Sequence, residues 1–398
     1  MSPLILVLNV GSSSIKFQLF LGLELKTVLK GIVENLNTEA AKLTYETNIN
    51  RSSQNLPEAN YSSALNQILI LLEDLAFNDA KLIAIGHRVV HGGNFFQKPV
   101  FITAEVISII ERCSVLAPLH NPANLEGIKA AQKIWSTLPQ IAVFDTAFHQ
   151  SLPDYAYLYA LPQEFYTQYA VRRYGFHGIN YEFLSKKTSE ILAISEKELK
   201  IICAHLGNGC SVCAIDGGKS VDTSMGFTPL AGVIMGTRSG DIDPGLFIYL
   251  QKETGMTLSE ITDILNKKSG LLGISGYSAD MRILQEAAAH NDDKANLAIK
   301  MFCYYLAKTI AAFIVPLGKI DALVFSGGIG ENSALIRSKT LDLLKFLGFT
   351  INEKANAENG KNSAYRITES SGTCALVIAA QEELMIAETV LQLLEIKK

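Results

Sequence analysis

The sequence predicts an α/β fold made of two copies of one domain around a central cleft. Apolar segments typical of strands alternate with segments typical of helices, an order that favours sheets covered by helices. An apolar strand, a polar residue, a Gly-rich turn and a second strand follow one another at residues 4–20 and again at 200–215. The chain has 398 residues, and since domains usually contain about 100–200 residues, two domains are expected.

In the first half, strands are predicted at Leu4–Leu8 and Ile15–Phe20, on either side of the turn Gly11–Ser14. Leu4–Leu8 is a short apolar run and Ile15–Phe20 alternates apolar with polar residues, and both patterns are typical of strands. The same criteria predict further strands at 28–33, 42–47, 82–86 and 140–144. Helices are predicted between them, at 61–75, 103–113 and 121–135.

The pattern restarts in the second half with a strand at Lys200–Ala204, which ends in the turn His205–Gly209. A strand at Ser211–Ile215 and a hairpin turn follow, and after further helices a strand at Asp321–Phe325 runs into a third turn. The last helix, at about 382–396, is expected to return to the first half. The predicted domains are 1–149 with about 383–398, and 150–382, and the cleft between them is the predicted site.

The composition limits the classes of protein to consider. Hydrophobic residues make up 48% of the chain, charged residues 19%, and the net charge is −4, which is typical of globular proteins without a nucleic-acid partner. No run of about 20 uncharged apolar residues predicts a membrane span, and the apolar run near 303–316 contains Lys308 and predicts a buried helix. The N-terminal apolar run follows no Lys or Arg, which favours a strand over a signal peptide. We therefore expect a cytoplasmic protein.

Six cysteines, most of them among apolar residues, favour buried thiols in a reducing compartment. Cys210 and Cys213 form a C-x-x-C pair, a spacing found in redox and zinc sites. However, no second C-x-x-C completes a zinc set, and no helix start supports a redox pair. We interpret both cysteines as core residues of a strand.

Three Gly-rich turns each follow an apolar strand, at Asn9–Ser14, His205–Gly209 and Gly327–Asn332. Glycine allows the backbone to approach a phosphate closely and to direct N–H groups at it. The third turn also opens a helix, whose N-terminus favours anions. One such turn is a weak indication, but three in a duplicated α/β chain predict a nucleotide phosphate site.

Other nucleotide-binding motifs are missing from the sequence. A P-loop ending at Ser220 would need its first glycine where Cys213 stands. No G-x-G-x-x-G follows a strand, which disfavours a dinucleotide fold. The protein-kinase signatures are also absent.

Histidine and arginine residues are concentrated in loops that follow predicted strands. Each one alone fits a hydrogen-bonded structural histidine or a solvated arginine, but several converging on one cleft would suit a dense anion. A zinc site is the alternative interpretation, although the chain has no H-E-x-x-H motif. The loops are His87–Gly93, Pro118–Pro122, Phe144–His149, Tyr174–Gly178 and Gly236–Asp241.

At these residues the sequence resembles the acetate and propionate kinase family over nearly the whole chain. The resemblance lies in the segments LNVGSSSIKF, HRVVHGG, LAPLHNP, FDTAFH, RYGFHG, AHLGNG, DTSMGFTPL, MGTRSGDIDP, SGLLGISG and FSGGIGENS. It implies two actin-like, ribonuclease H-like ATPase domains, the fold shared by sugar kinases, actin and the Hsp70 ATPase. It also implies a homodimer that transfers the γ-phosphoryl group of ATP reversibly to acetate, giving acetyl phosphate and ADP. Mg²⁺ is the implied metal, and Mn²⁺ is expected to substitute for it.

The resemblance also carries roles onto the matching positions of this chain. It implies Asp145 as the catalytic carboxylate, with His177 and Arg238 stabilising the transferring phosphoryl group. Asn9 and Glu382 are implied as Mg²⁺ ligands. The acid substrate is expected at Arg88, Val90, Leu119, His120, Phe176 and Pro229. ATP is expected at Ser12, Lys16, His205, Leu206, Gly207, Asn208, Gly209, Asp280, Met281, Arg282, Gly328, Ile329, Gly330, Glu331 and Asn332.

The chain departs from the family's usual residues at four of the positions near this site. Ala380 and Gln381 precede Glu382 where the family often has Thr-Asn, so which acid binds the metal stays open. Met281 stands where an aromatic residue is common, which leaves the nucleotide preference open. Ala231 replaces a frequent glutamate.

Elementary chemistry explains why arginines are expected at such a site. A carboxylic acid with a pKa near ~4 is already ionised at neutral pH, so no general base is needed to create the nucleophile. The barrier comes instead from repulsion between the carboxylate and the polyphosphate, which cationic groups and a metal ion must offset. Two alternatives stay open: a kinase of the same family for propionate or butyrate, and an ATP-switched binding module that needs no acid-binding pocket.

Overall fold

The computed structural model describes residues 1–75 and 79–396. Its strands are β1 (Ser2–Val10), β2 (Ser14–Leu21), β3 (Lys26–Glu34), β4 (Lys42–Thr47), β5 (Arg51–Asn55), β6 (Ala80–Val89), β7 (Val100–Phe101), β8 (Gln140–Phe144), β9 (Lys200–Leu206), β10 (Cys210–Asp216), β11 (Lys219–Thr223), β12 (Ala322–Ser326) and β13 (Cys374–Val377). Its α-helices are α1 (Tyr61–Asp74), α2 (Ala104–Arg112), α3 (Asn121–Ile134), α4 (Asp154–Tyr157), α5 (Gln163–Tyr169), α6 (Gly178–Leu192), α7 (Gly245–Thr254), α8 (Leu258–Lys267), α9 (Gly270–Ser275), α10 (Met281–Ala289), α11 (Asp293–Ala312), α12 (Ile314–Leu317), α13 (Gly327–Asn332), α14 (Ala334–Leu343), α15 (Glu353–Ala357) and α16 (Glu382–Leu393).

The chain divides into two compact units. Unit 1 comprises Met1–Phe148 and Gln381–Lys398, and unit 2 comprises His149–Ala380. The helix that the sequence places at about 382–396 is α16, which packs against β1 and β6 of unit 1. The limits of the units lie one or two residues from the limits that the sequence predicts.

The sheet of unit 1 has the strand order β5-β4-β3-β2-β1-β6-β8-β7. From β3 to β1 neighbouring strands are antiparallel, whereas β1, β6 and β8 run parallel. The parallel strands are nearly continuous apolar runs because both faces of the sheet are covered, and all five residues of β8 are buried. Helices α1 and α3 pack together beside this sheet, with Leu65 and Ile68 of α1 in the core.

The sheet of unit 2 has the order β11-β10-β9-β12-β13. Its strand directions repeat those of β3-β2-β1-β6-β8: two antiparallel pairs are followed by two parallel pairs. The predicted duplication of one α/β unit is therefore present. The short edge strand β5 and the two-residue β7 of unit 1 lie outside the repeat, and the sequence does not predict them.

Several helices begin at a short polar side chain that accepts a hydrogen bond from the first turn. Asn60 and Ser63 form a capping box at α1, and Thr257 with Glu260 forms another at α8. Thr103 caps α2 in the simpler way. These caps explain why the predicted starts of α1 and α2 lie close to the observed ones.

Helix α11 is the long apolar helix of unit 2. The segment Asp293–Leu317 has the length and composition of a membrane span, with a mean hydropathy of 1.5. However, α11 packs against α9, α10 and α14, and Phe302, Leu306 and Ile310 are buried. Core helices satisfy the same criteria of length and hydropathy, so the segment is a structural helix of unit 2.

In parallel strands the carboxyl ends meet at one edge of the sheet, where α/β proteins place their ligands. In unit 1 this edge carries Asn9 at the end of β1, Arg88 near the end of β6 and Asp145 directly after β8. In unit 2 it carries His205 at the end of β9 and Gly327 directly after β12. The edges of the two sheets therefore present the residues that the sequence singles out.

Candidate active site

Arg88 and Asp145 form the centre of the cluster in unit 1. The Arg88 guanidinium donates from Nε to Asp145 Oδ1 at 3.1 Å and from Nη2 to Asp145 Oδ2 at 2.6 Å. This is a two-pronged pair, in which the planar fork of arginine matches the two carboxylate oxygens. The main-chain N–H of Asp145 is held by Val89 O at 3.0 Å, so both partners are fixed to adjacent parallel strands.

The charge state of this pair follows from its burial and its neighbours. Burial on its own would lower the pKa of Arg88, but the carboxylates of Asp145 and Glu382 raise that pKa above its usual value. Asp145 is 1% exposed, and its burial raises the pKa of the carboxyl while Arg88 opposes the shift. The guanidinium therefore keeps its proton and its positive charge at neutral pH.

Asn9 and Glu382 contact Nη1, the third nitrogen of the Arg88 guanidinium. Arg88 Nη1 is 3.4 Å from Asn9 Oδ1 and 3.7 Å from Glu382 Oε2. Arg88 is therefore surrounded by three side chains, those of Asn9, Asp145 and Glu382, whose oxygen atoms could also bind a metal ion. No group of three or more His, Cys, Asp and Glu side chains in the described parts of the chain forms a preassembled metal site. The donors nevertheless suit Mg²⁺, which commonly binds one or two carboxylates and completes its shell with substrate phosphates and water.

Lys16 lies beside this cluster. It pairs with Asn9 in the antiparallel register of β1 and β2, so the two side chains leave the same face of the sheet. Lys16 is exposed and lines a groove of about 380 Å³ together with Lys30, Arg51 and Glu383. An anion that reached the cluster would therefore meet a flexible cation at its edge.

The first Gly-rich turn is held in place by residues distant in sequence. The Tyr61 hydroxyl donates to the carbonyl oxygens of Gly11 and Ser12, at 3.1 and 3.0 Å. Asn124 donates to Val10 O at 2.6 Å and accepts from the Val90 N–H at 3.0 Å. One buried amide thus joins the turn to the segment that carries Arg88, a role that the sequence analysis does not identify.

The residues predicted for the acid-binding pocket are divided between the units. Val90 and Leu119 belong to unit 1, where Val90 is partly buried and Leu119 is 51% exposed. His120 is partly buried and stands directly before α3. In unit 2, Phe176 is buried and its carbonyl oxygen bonds the Nε2 of His149 at 2.9 Å, while Pro229 is partly buried.

In unit 2, His177 and Arg238 meet at the second Gly-rich turn. A Cβ added to Gly209 would lie 3.6 Å from Arg238 Nη1 and 3.7 Å from His177 Nε2. The His177 ring also stacks on the His205 ring, with centroids 4.2 Å apart and planes 21° apart. Two side chains predicted to stabilise a phosphoryl group therefore face the same backbone turn, and the absence of a side chain at Gly209 keeps that space open.

Arg238 has different electrostatic surroundings from Arg88. Its Nη1 donates to the main-chain oxygen of Pro229 at 3.0 Å, and within residues 1–75 and 79–396 no carboxylate forms an ion pair with it. Burial lowers the pKa of Arg238, since the charged form loses hydration. A partly buried cation without a counter-ion favours an anionic ligand.

The third Gly-rich turn borders a cavity in unit 2. Gly327 has φ of +76° and begins α13, and a Cβ at this position would lie 2.8 Å from the main-chain oxygen of Leu206. The second and third turns therefore pack backbone against backbone, which only glycine permits. The cavity beside them has a volume of about 710 Å³ and is lined by Gly207, Asn208, Ala279, Asp280, Met281, Arg282, Gln285, Gly328, Ile329, Asn332 and Ser333.

Polar groups at the cavity are already organised by the protein. Asp280 accepts from the Arg282 side chain at 2.6 Å, and this hydrogen bond lowers the pKa of Asp280 to about 2. Gln285 donates to Met281 O at 3.2 Å and accepts from Ser333 Oγ at 2.8 Å. Gln285 and Ser333 also line the cavity but are not predicted as site residues from the sequence, although both lie within one turn of a residue that is.

Two residues predicted to bind nucleotide have internal roles in the structure. Gly330 is buried and is not part of the cavity lining. Glu331 Oε1 accepts from the N–H of Gly327 and from the N–H of Ala380, each at 2.9 Å. Glu331 thus caps the helix on which it lies. The other predicted nucleotide residues of the third turn, Gly328, Ile329 and Asn332, line the cavity.

The chain is similar to known proteins over nearly its whole length. A sequence profile described as the acetokinase family matches residues 4–388. A protein named acetate kinase from Deinococcus radiodurans is 50% identical over 382 residues, covering 96% of each chain. The crystal structure of a propionate kinase from Francisella tularensis has a TM-score of 0.92 at 44% identity, over 97% of this chain and 98% of that one. The Porphyromonas gingivalis acetate kinase structure gives 0.91 at 38% identity, over 98% of this chain and 100% of that one.

Proposed function

The chain belongs to the acetokinase family, and on that premise we propose that it transfers the γ-phosphoryl group of ATP to acetate. The products are acetyl phosphate and ADP, and the reaction is reversible. Its two units have the duplicated actin-like α/β fold of this family. The observation that carries the proposal is the placement of Arg238 and His177 at the Gly209 turn, where a phosphoryl group needs cationic and N–H donors.

The acid-side residues in unit 1 act by charge and orientation. The acetate carboxylate binds Arg88, whose guanidinium is already aimed by its two hydrogen bonds to Asp145. Acetate is ionised at neutral pH, so Asp145 does not need to remove a proton. We assign Asp145 to orienting Arg88 and the metal, a role that its full engagement with arginine supports.

Asn9 and Glu382, with Asp145 next to them, would hold Mg²⁺ or Mn²⁺. When bound, the metal supplies positive charge that reduces repulsion between the carboxylate and the polyphosphate. Lys16, opposite Asn9 in the sheet, adds a further cation for ATP. Which of Glu382 and Glu383 binds the metal is a question for metal titration of the two Gln variants.

The nucleotide-side residues in unit 2 bind and stabilise the phosphates. Gly207 and Asn208 of the second turn and Gly328 of α13 line the cavity that would receive ATP, where glycine lets the backbone approach a phosphate closely. Arg238 can span two oxygens of the transferring group, and His177 can donate from Nε2. Transfer then requires acid and nucleotide to be bound at the same time.

The direct test is to incubate the purified protein with Mg-ATP and a series of carboxylates, trapping any acyl phosphate with hydroxylamine. We expect hydroxamate formation that depends on both acid and ATP. ATP hydrolysis at the same slow rate with and without a carboxylate would contradict the proposal and favour the ATP-switched binding module.

A second candidate is a preference for propionate, which the solved propionate kinase at 44% identity makes worth testing. One methylene in an apolar pocket changes binding by only about 1–3 kcal/mol, so discrimination between the two acids should be incomplete. The ratio of kcat/KM across acetate, propionate and butyrate decides between the candidates.

We further propose a homodimer formed through unit 2. On α7, Leu246, Ile248 and Tyr249 are 42, 73 and 60% exposed, and no residue of this helix is buried. Exposed apolar groups clustered on one helix commonly mark an interface.

Light scattering should give twice the monomer mass for the wild-type protein, and Ile248→Glu should shift the measured mass to that of the monomer. Ile49→Glu, at a 97% exposed position of unit 1, is the matched control. A monomeric wild-type protein would contradict the dimer.

A cytoplasmic location is part of the same proposal. All six cysteines are buried and none is in a disulfide, which suits a reducing compartment. Cell fractionation with a marker for each compartment tests it.

A further inference from the structure

In unit 2, the side chains of His177, Ser211 and Tyr181 form a continuous hydrogen-bonded chain. Ser211 Oγ is 2.8 Å from His177 Nδ1, and the same oxygen hydrogen-bonds the hydroxyl of Tyr181. His177 stands directly before α6, and Tyr181 in the first turn of that helix donates its main-chain N–H to His177 O at 3.1 Å. Ser211 is on β10, directly opposite His205 in the register with β9. The chain therefore joins the helix, the sheet and the Gly209 turn.

The surroundings of these groups decide which way the protons point. Ser211 and Tyr181 are both fully buried. Burial raises the pKa of Tyr181 well above its usual 10, so its hydroxyl keeps its proton. Because a phenol is a stronger acid than an aliphatic alcohol, it is the better hydrogen-bond donor, so Tyr181 gives its proton to Ser211. Ser211 has one proton, and it is then available for His177 Nδ1.

We propose that Tyr181 and Ser211 are positioning residues that hold His177 in the neutral tautomer with its proton on Nε2. In that tautomer the N–H faces the Gly209 turn and donates to the transferring phosphoryl group without a charge on the ring. The inference rests on the proposed function, because it assigns the origin of a hydrogen bond in that reaction. It adds two residues that the family resemblance does not assign.

The charged and titratable groups around His177 favour the neutral ring. The His205 ring is stacked on it from β9, and Arg238 faces the same turn from the loop after β11. On β10, Cys210 is buried and burial raises its thiol pKa to about 12, so it brings no negative charge. A protonated His177 would place a second cation beside Arg238, and like-charge repulsion disfavours it.

The tautomer can be measured in the intact protein by ¹⁵N NMR of labelled histidine side chains, with His177→Asn identifying the signals. In wild-type protein at neutral pH we expect a protonated Nε2 and an unprotonated, hydrogen-bonded Nδ1 on His177. A proton on Nδ1 would reverse the chain and overturn the inference. This measurement needs no substrate, so it fails or succeeds independently of the proposed function, which the hydroxylamine assay tests.

Kinetics supply the second test. Removing a residue that orients a functional histidine typically costs about 10- to 100-fold in activity, so we expect Ser211→Ala and Tyr181→Phe to lower kcat at least ~10-fold. The KM values for ATP and acetate should change less than ~2-fold. In a His177→Ala background, Ser211→Ala should have no further effect on kcat. An equal loss in that background would show that Ser211 acts on folding and overturn its assignment.

The chain offers a matched control for this contact. Ser220 Oγ lies 2.8 Å from His149 Nδ1, in the same unit and equally buried, but the Nε2 of His149 bonds Phe176 O. Ser220→Ala should therefore lower thermal stability about as much as Ser211→Ala while kcat changes less than ~2-fold. Tyr181→Phe removes one oxygen only, so it keeps the test available if Ser211→Ala does not fold.

Discussion

Arg88 and Arg238 carry the same guanidinium group in opposite electrostatic surroundings. Arg88 is bound on three sides, by Asp145, Glu382 and Asn9, whereas Arg238 bonds a main-chain oxygen in unit 2. The ion pairs and hydrogen bonds of Arg88 fix the orientation of its guanidinium. Arg238 has no carboxylate ion pair among the described residues, so its positive charge can bind an anionic ligand. The two residues should therefore respond differently to substitution.

Arg238→Lys should lower kcat by about 100-fold while the KM values for ATP and acetate change less than ~5-fold. A guanidinium can bond two phosphoryl oxygens at once and an ammonium cannot, and losing one such donor typically costs 10²–10³ in kcat. Steady-state kinetics measure the change. Arg173→Lys is the control, because Arg173 also donates to main-chain oxygens of unit 2. An unaltered kcat in Arg238→Lys would exclude the proposed role.

Val90→Ala should improve propionate relative to acetate. Val90 is held in place through its main chain by Asn124, so its removed methyl groups leave space rather than a displaced loop. A methylene in an apolar pocket is worth about 1–3 kcal/mol, so the ratio of kcat/KM values should rise by at least ~5-fold. Val115→Ala, at an 83% exposed position, controls for general effects. The same ratio in both variants would count against Val90 as the limit of the pocket.

At the scale of elements, α13 is a six-residue helix that lines the cavity and is fixed at both ends. The Glu331 side chain caps the start of α13. At the end of the helix, Arg337 from α14 donates to Gly330 O at 2.8 Å and to Glu331 O at 3.0 Å. Arg337 is fully buried, and burial lowers its pKa to about 10. Its remaining donors bond Asn356 and Asn359. A buried cation thus holds the turn that borders the nucleotide cavity.

Arg337→Gln should raise the KM for ATP by about 5- to 10-fold and leave the KM for acetate unchanged. The shorter side chain cannot reach both carbonyl oxygens, and a buried acceptor left unpaired costs about 1–3 kcal/mol. Arg366→Gln is the matched control, because Arg366 also donates to three main-chain oxygens of unit 2 but away from the cavity lining. Both variants should lose thermal stability. If the KM for ATP rose in both variants, the effect of Arg337→Gln would reflect a general loss of stability and the prediction would be wrong.

For the whole molecule, buried histidines make stability depend on pH. Burial lowers the pKa of His87 to about 4, of His91 to about 3 and of His149 to about 4. In the unfolded chain these rings titrate near 6.5. Below pH 6.5 the unfolded chain therefore binds more protons than the native one, and stability is lost as the pH falls from about 6.5 towards 4.

The melting temperature should accordingly be level from pH 7.5 to 7 and fall steadily from pH 6.5 to 5. Each buried histidine contributes a slope of up to about 1.4 kcal/mol per pH unit. His149→Gln should reduce the slope, and His290→Gln, whose ring is exposed, should not. A melting temperature that is constant between pH 7 and 5 would contradict this account.

Much of the fold follows from local sequence patterns. The buried strands β1, β8, β9 and β10 are mostly apolar runs, and β2 alternates apolar with polar residues, so the hydrophobic pattern alone predicts them within a few residues. Strand β5 is mostly exposed and consists of polar residues, so its strand conformation depends on pairing with β4 and no local pattern predicts it.

The site divides in the same way. Arg88, Asp145 and His205 stand at strand ends and are predicted as site residues from position and motif. Asn124 escapes the analysis because its partner Val10 lies 114 positions away. Tyr181 and Ser211 escape it for the same reason, since their meaning comes from a contact across 30 positions. Hydrogen bonds between residues far apart in sequence leave no local pattern, so the roles that depend on them cannot be predicted from the sequence.

The attachment of α16 to β1 and β6 has a consequence for biosynthesis. A ribosome releases the chain from its N-terminus, so every strand of the first sheet emerges long before Met385, Ile386 and Val390, the buried side chains of α16 that pack in this unit. The middle of the chain, His149–Ala380, can complete its own core earlier. The nascent first half therefore keeps an apolar surface uncovered until α16 has been synthesised. Chaperone binding to ribosome-bound chains should accordingly persist until the final helix has left the exit tunnel.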